Sequence, residues 1–146
     1  MIHIDQRWIT RLLRFGFGLL LIFAAIDKIR HPFAFSEAVE NYRLFGEDLS
    51  RWIAVWLPSF EVVLGFFLVL GIWQDASTLL NMILMSVFLV LVTQAYVRGL
   101  DIRCGCFFVE GDSKIGLIKI IENFLLAFLS ILLYIIWKKE SPIQMR

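Results

Sequence analysis

Four long apolar runs leave this chain few ways to fold. They cover residues 12–29, 52–73, 76–97 and 115–137. A helix rises about 1.5 Å per residue, so about 20 apolar residues cross the hydrocarbon core of a bilayer. Leu, Ile, Phe and Val fill all four runs, and none alternates with the period of two that a membrane β-barrel requires. The reading is an all-α protein, an integral membrane four-helix bundle forming one domain over residues 1–146, with both termini on one side. Composition agrees: 60% of the 146 residues are hydrophobic and 18% charged. A water-soluble globule carries about 25% charge, and a disordered chain lacks such hydrophobicity. A net charge of +1 excludes the basic field that nucleic-acid binding needs.

The first run has features of a secretory signal, with Arg7, Arg11 and Arg14 ahead of an apolar stretch over 15–25. No small-x-small cleavage site follows; Asp27, Lys28, Ile29 and Arg30 stand there instead. It is read as a retained helix. The total of basic residues on each side does not decide the orientation. The three arginines before the first helix and Lys138-Lys139 at the end of the last favour cytoplasmic termini. The loop between the third and fourth helices then faces outward.

The first large loop, residues 30–51, has a pattern of its own. Phe35, Ala38, Val39, Tyr42 and Phe45 recur at helical spacing, with Ser36, Glu37, Glu40, Asn41 and Arg43 opposite. His31-Pro32 marks a break before it. A short amphipathic helix is predicted, lying in the membrane interface or capping the bundle; the pattern fits both. Trp8, Trp52, Trp56, Trp73 and Trp137 fall near the predicted helix ends, as an aromatic belt does.

The only two cysteines, Cys104 and Cys106, flank a single glycine in the third loop. Zinc needs three or four ligands, and His3 and His31 have no ligand spacing to the pair, so no metal site is expected. A Cys-Gly-Cys disulfide closes a very small ring that Gly105 makes possible. Such a ring gains little as a staple, and strained, exposed disulfides are the labile ones. Arg103 alongside favours the thiolate. A redox-active pair is therefore preferred to a structural link, idle thiols or a palmitoylated cysteine.

Polar groups gather in the half of the bundle beneath that loop. Asp27 and Lys28 end the first run, Thr93 and Gln94 end the third, and Glu122 and Asn123 lie in the fourth. Glu61 sits in the second, within its first turn if Pro58 opens the regular helix. A carboxyl at membrane depth is costly and usually functional. Glu61 is thus a candidate to move protons for the dithiol; the competing reading pairs it structurally with Lys28 or Lys119. Glu122 has Lys119 three residues away on a shared face. Asp27 and Lys28 are expected to snorkel to the interface.

An ordered set of residues resembles the MauE branch of the DoxX/MauE family of small four-helix membrane proteins. It comprises Asp27-Lys28-Ile29 with Pro32 and Phe35; Val39-Glu40-Asn41-Tyr42-Arg43-Leu44; Trp56-Leu57-Pro58 with Glu61 and Gly65; Leu70-Gly71; and Cys104-Gly105-Cys106-Phe107. Phe108 departs from the glycine expected there. The resemblance implies thiol–disulfide traffic on the outer face of a bacterial inner membrane. It also implies a periplasmic thioredoxin-fold partner and maturation of disulfide-rich methylamine dehydrogenase. The architecture is also similar to DsbB and vitamin K epoxide reductase, which pass electrons from thiols to a quinone. The expected function is that of a membrane thiol–disulfide oxidoreductase, with Cys104, Cys106 and Glu61 as catalytic residues. A single cysteine pair cannot relay electrons across the bilayer by exchange alone. Either a quinone takes them, with Glu122, Asn123 and Gln94 as its candidate binding residues, or the pair shuttles between outer proteins. The rival is a non-enzymatic assembly factor that docks a thioredoxin-like protein.

Overall fold

A computed structural model of the chain describes residues 6–105 and 114–144, with side chains described over 7–105 and 114–139. Five helices follow one another: α1 (Gln6–Arg30), α2 (Pro32–Asn41), α3 (Glu47–Leu70), α4 (Gln74–Val97) and α5 (Leu117–Gln144). Four of them, all but α2, are long and apolar enough to cross a membrane. No strand occurs among the described residues beyond an isolated bridge between Arg103 and Lys114.

The long helices run up and down in chain order. α1 packs chiefly on α3 and α4 on α5, and α3–α4 and α1–α5 contacts close the ring. Their shared core holds Phe17, Leu21, Leu64, Leu68, Met85, Phe88 and Leu133. α1 and α3 approach most closely at two glycines: a Cβ on Gly18 would lie 2.8 Å from the Gly65 carbonyl oxygen, and one on Gly65 2.8 Å from that of Gly18. Small residues let backbones meet in this way where lipid supplies no hydrophobic drive. One end of the bundle gathers the ends of α1 and α4, the starts of α3 and α5, and α2; this is the cysteine end.

Two expectations need correction, and one choice left open is narrowed. First, α3 starts at Glu47, not near residue 52, because Glu47 and Asp48 complement the positive helix N-terminus and Glu47 pairs with Arg51. Second, Pro58 lies inside the 24-residue α3 and does not open it. Glu61 is therefore about 21 Å from the helix start, fourteen residues at 1.5 Å each, near the middle of α3. Of the two places open to α2, it takes the cap: Phe35, Ala38 and Tyr42 are buried against the bundle, while Phe33 is exposed. The break at His31-Pro32 stands as expected, with Pro32 as the first residue of α2.

Candidate functional site

Cys104 is disulfide-bonded and buried at the cysteine end. Cys106, its expected partner, lies outside the described residues. Cys104 packs with Val92 of α4 and Ile115 and Ile120 after the loop. The base of the loop is pinned twice. The backbones at Arg103 and Lys114 form an antiparallel bridge, in which the Ile115 N–H donates to the Ile102 carbonyl at 2.9 Å, and the Lys114 ammonium pairs with Asp101 at 2.9 Å. Gly105 has φ +62°, in the left-handed region, and a Cβ there would meet the Ala38 Cβ at 3.0 Å. Only glycine meets both demands. Gly105 thus rests directly on α2.

α2 answers with a hydrogen bond. The Tyr42 hydroxyl donates to the Cys104 carbonyl oxygen at 2.8 Å, and Arg98, capping α4, donates from Nη1 to the Tyr42 carbonyl at 3.0 Å. Burial pushes the Tyr42 hydroxyl well above its ordinary pKa, so it stays a protonated donor. A small cavity of about 70 Å³ lies beside these groups, lined by Phe35, Tyr42, Leu57, Phe88, Cys104 and Gly105 among others.

Behind two of those rings lies the most buried charge in the described chain. Lys28 and Glu61 both have no exposed side-chain surface, and the ammonium meets the carboxylate oxygens at 2.6 and 2.8 Å. Lys28 Nζ also lies 5.3 Å from the ring centroids of Phe35 and of Phe88, the range of a cation–π contact. One ammonium on α1 thereby joins α2, α3 and α4. The expectation that Lys28 snorkels outward is overturned. Helical side chains lean toward their own N-terminus. α1 and α3 are antiparallel, so Lys28 leans into the bundle while Glu61 leans toward the cysteine end, and they meet. Phe35 and Phe88 flank both this pair and the cavity at Cys104.

The expected quinone-binding residues do not converge. Glu122 lines a groove of about 810 Å³ between α1 and α5, walled by Leu20, Phe23, Leu125 and Leu126 and rimmed by Asp27, Arg30 and Lys119. It pairs with Lys119 at 2.7 Å and is half exposed, at 46%. Asn123 is buried and donates from Nδ2 to the carbonyl of Lys119 at 2.8 Å. Gln94 lines a separate groove with Thr93 and Arg98. The cavity at Cys104 is smaller than the roughly 150 Å³ that holds benzene, whereas the α1–α5 groove and the Gln94 groove of about 510 Å³ both lie within the roughly 300–1,000 Å³ common for small-molecule sites. The α1–α5 groove adds to its apolar wall a rim of both charges, which suits a ring with polar oxygens on an apolar tail.

In the sequence Tyr42 stands out only as part of an apolar helix face and of the family motif, and nothing singles out Arg98. A hydroxyl on a buried face was the available signal, since buried tyrosines usually find an acceptor. Among the described residues no group of three or more His, Cys, Asp or Glu side chains could hold a metal ion.

The family whose model matches this chain is described as "Methylamine utilisation protein MauE", and the match covers residues 6–136. A protein named Methylamine utilization protein MauE from Methylorubrum extorquens is 37% identical over 100 residues, 68% of this chain and 54% of that protein. One of the same name from Paracoccus denitrificans is 28% identical over 120 residues, 82% of this chain and 64% of that protein. The chain thus spans between about half and two thirds of these relatives' length. No solved structure matches it.

Proposed function

The chain belongs to the MauE family, and on that premise we propose that it is a membrane thiol–disulfide oxidoreductase acting in methylamine utilisation. Its Cys104–Cys106 pair exchanges disulfides with a periplasmic thioredoxin-fold protein at the outer face of a bacterial inner membrane, with the chain termini cytoplasmic. The observation that carries this reading is the disulfide-bonded Cys104, held against residues of α2, α4 and α5.

In the exchange, a partner thiolate attacks one sulfur of the pair. A mixed disulfide forms as the intramolecular bond breaks, and the released thiolate takes up a proton. A second partner thiol then resolves the mixed disulfide. The partner leaves oxidised, and this chain keeps two electrons and two protons as a dithiol. Glu61, held by Lys28, is assigned to take one of these protons when the dithiol gives up its electrons again. The α1–α5 groove is assigned to a quinone, which when bound would supply a two-electron, two-proton acceptor. Arg30 and Lys119 would be the donors there for ring oxygens, and Glu122 the carboxylate.

The rival is an assembly factor whose disulfide only shapes a docking loop, and the burial of Cys104 gives it a specific basis. Replacing both cysteines by serine separates the two. The oxidoreductase reading expects loss of methylamine-dependent growth, and a partner trapped as a mixed disulfide when one cysteine alone is replaced. Unimpaired growth of the double serine variant would establish the assembly factor.

A further inference from the structure

We propose that Tyr42 and Arg98 form a clamp that holds the Cys104 disulfide ready to close, with Tyr42 as a positioning residue for thiol–disulfide exchange. The inference rests on the oxidoreductase reading and assigns residues that reading does not use. Tyr42 ends α2 and touches Cys104 at its backbone, through the 2.8 Å hydrogen bond to the carbonyl oxygen. Arg98 in turn holds the Tyr42 backbone at 3.0 Å. The end of α4 therefore reaches Cys104 by two routes, through Val92 packed against it and through Arg98 and Tyr42.

A very small disulfide ring closes only from a narrow set of backbone conformations. In the dithiol state, the cost of closure includes ordering the backbone around Cys104. The Tyr42 hydroxyl holds the Cys104 carbonyl in the closed form, and opening the ring frees the backbone that keeps the two in register, so the hydrogen bond counts toward the disulfide more than toward the dithiol. Removing the hydroxyl leaves the buried carbonyl short of a donor in the closed form above all. Removing it favours the open dithiol over the closed disulfide.

Tyr42→Phe tests this, since it keeps the ring and removes only the hydroxyl. The purified full chain in detergent is equilibrated with defined ratios of reduced and oxidised glutathione. Two glutathione thiols reduce the disulfide to the dithiol and leave as one glutathione disulfide. The expected result is a shift of about 5- to 10-fold in this equilibrium toward the dithiol, the worth of one buried hydrogen bond, with the melting temperature close to the parent's. Arg98→Gln is expected to shift it in the same direction by less. The effects of the two substitutions together should fall short of the product of the separate shifts, because both act on one chain of contacts. An unshifted equilibrium in folded Tyr42→Phe overturns the clamp. If that variant does not fold, an unshifted Arg98→Gln does so. The measurement needs only the chain's own disulfide, so its failure is distinct from failure of the serine variants to lose growth, which strikes the oxidoreductase reading itself.

Discussion

Two lysine–glutamate pairs hold polar groups in this bundle, and they differ in nearly everything but their chemistry. Lys28 and Glu61 join different helices across 33 positions of sequence, wholly buried. Lys119 and Glu122 lie three residues apart on α5, at the rim of an open groove, with 22% and 46% of their side chains exposed. An exposed pair on one helix is worth a few tenths of a kcal/mol, roughly, because water competes for both charges. A buried pair has lost water altogether, so each partner depends on the other. The first pair is therefore a unit that can be removed whole but not halved, and the second is two nearly independent side chains.

The sharpest way to break the comparison is to remove the buried pair whole. Lys28→Met combined with Glu61→Leu should leave a folded protein, since apolar replacements of buried pairs are often neutral or stabilising. Disulfide exchange with the partner should fall by about 10²–10⁴-fold if Glu61 holds a proton for it. Parent-like turnover in that folded variant would make the pair purely structural. Halving the pair comes next. Glu61→Leu alone strands a buried ammonium and should cost about 3–5 kcal/mol, seen as a steep drop in folded yield and melting temperature. A melting temperature unchanged in this variant would mean that Lys28 finds water or another partner. The smallest effect belongs to the other pair: Glu122→Gln should change stability by no more than about 0.5 kcal/mol. A larger loss in stability would show that the groove rim is less wet than its exposure implies.

The membrane-spanning helices were legible because hydropathy over about 20 residues is a signal that neighbours in space do not alter. Boundaries were less so where polar residues join a helix: Glu47, Asp48, Ser50 and Arg51 end the apolar run yet form the first turns of α3. Pro58 misled for a similar reason. Its ring suits a helix start, but a proline inside a spanning helix is tolerated where packed neighbours compensate for the missing N–H. In the site, Cys104 and Glu61 stood out because a lone cysteine pair and a carboxyl at membrane depth are rare. Their partners did not, except that Lys28 was one of two lysines open to Glu61. Tyr42 lies 62 positions from Cys104, Arg98 lies 56 from Tyr42, and Lys28 lies 33 from Glu61. No local periodicity encodes such pairings; they arise from the antiparallel lean of α1 and α3 and from α2 folding back over the bundle.

The buried pair also imposes an order in time. Synthesis runs from the N-terminus at about 5–20 residues per second, so Glu61 is made roughly two to seven seconds after Lys28, 33 residues divided by that rate. During that interval α1 is present without the carboxylate its lysine needs. Lys28 is only two residues from the end of α1, close enough for its stem to extend to the headgroups and keep the ammonium hydrated. Only when α3 arrives does turning inward become favourable. The position of Lys28 thus lets one side chain satisfy its charge at either stage, in water before its partner is translated and on Glu61 afterwards.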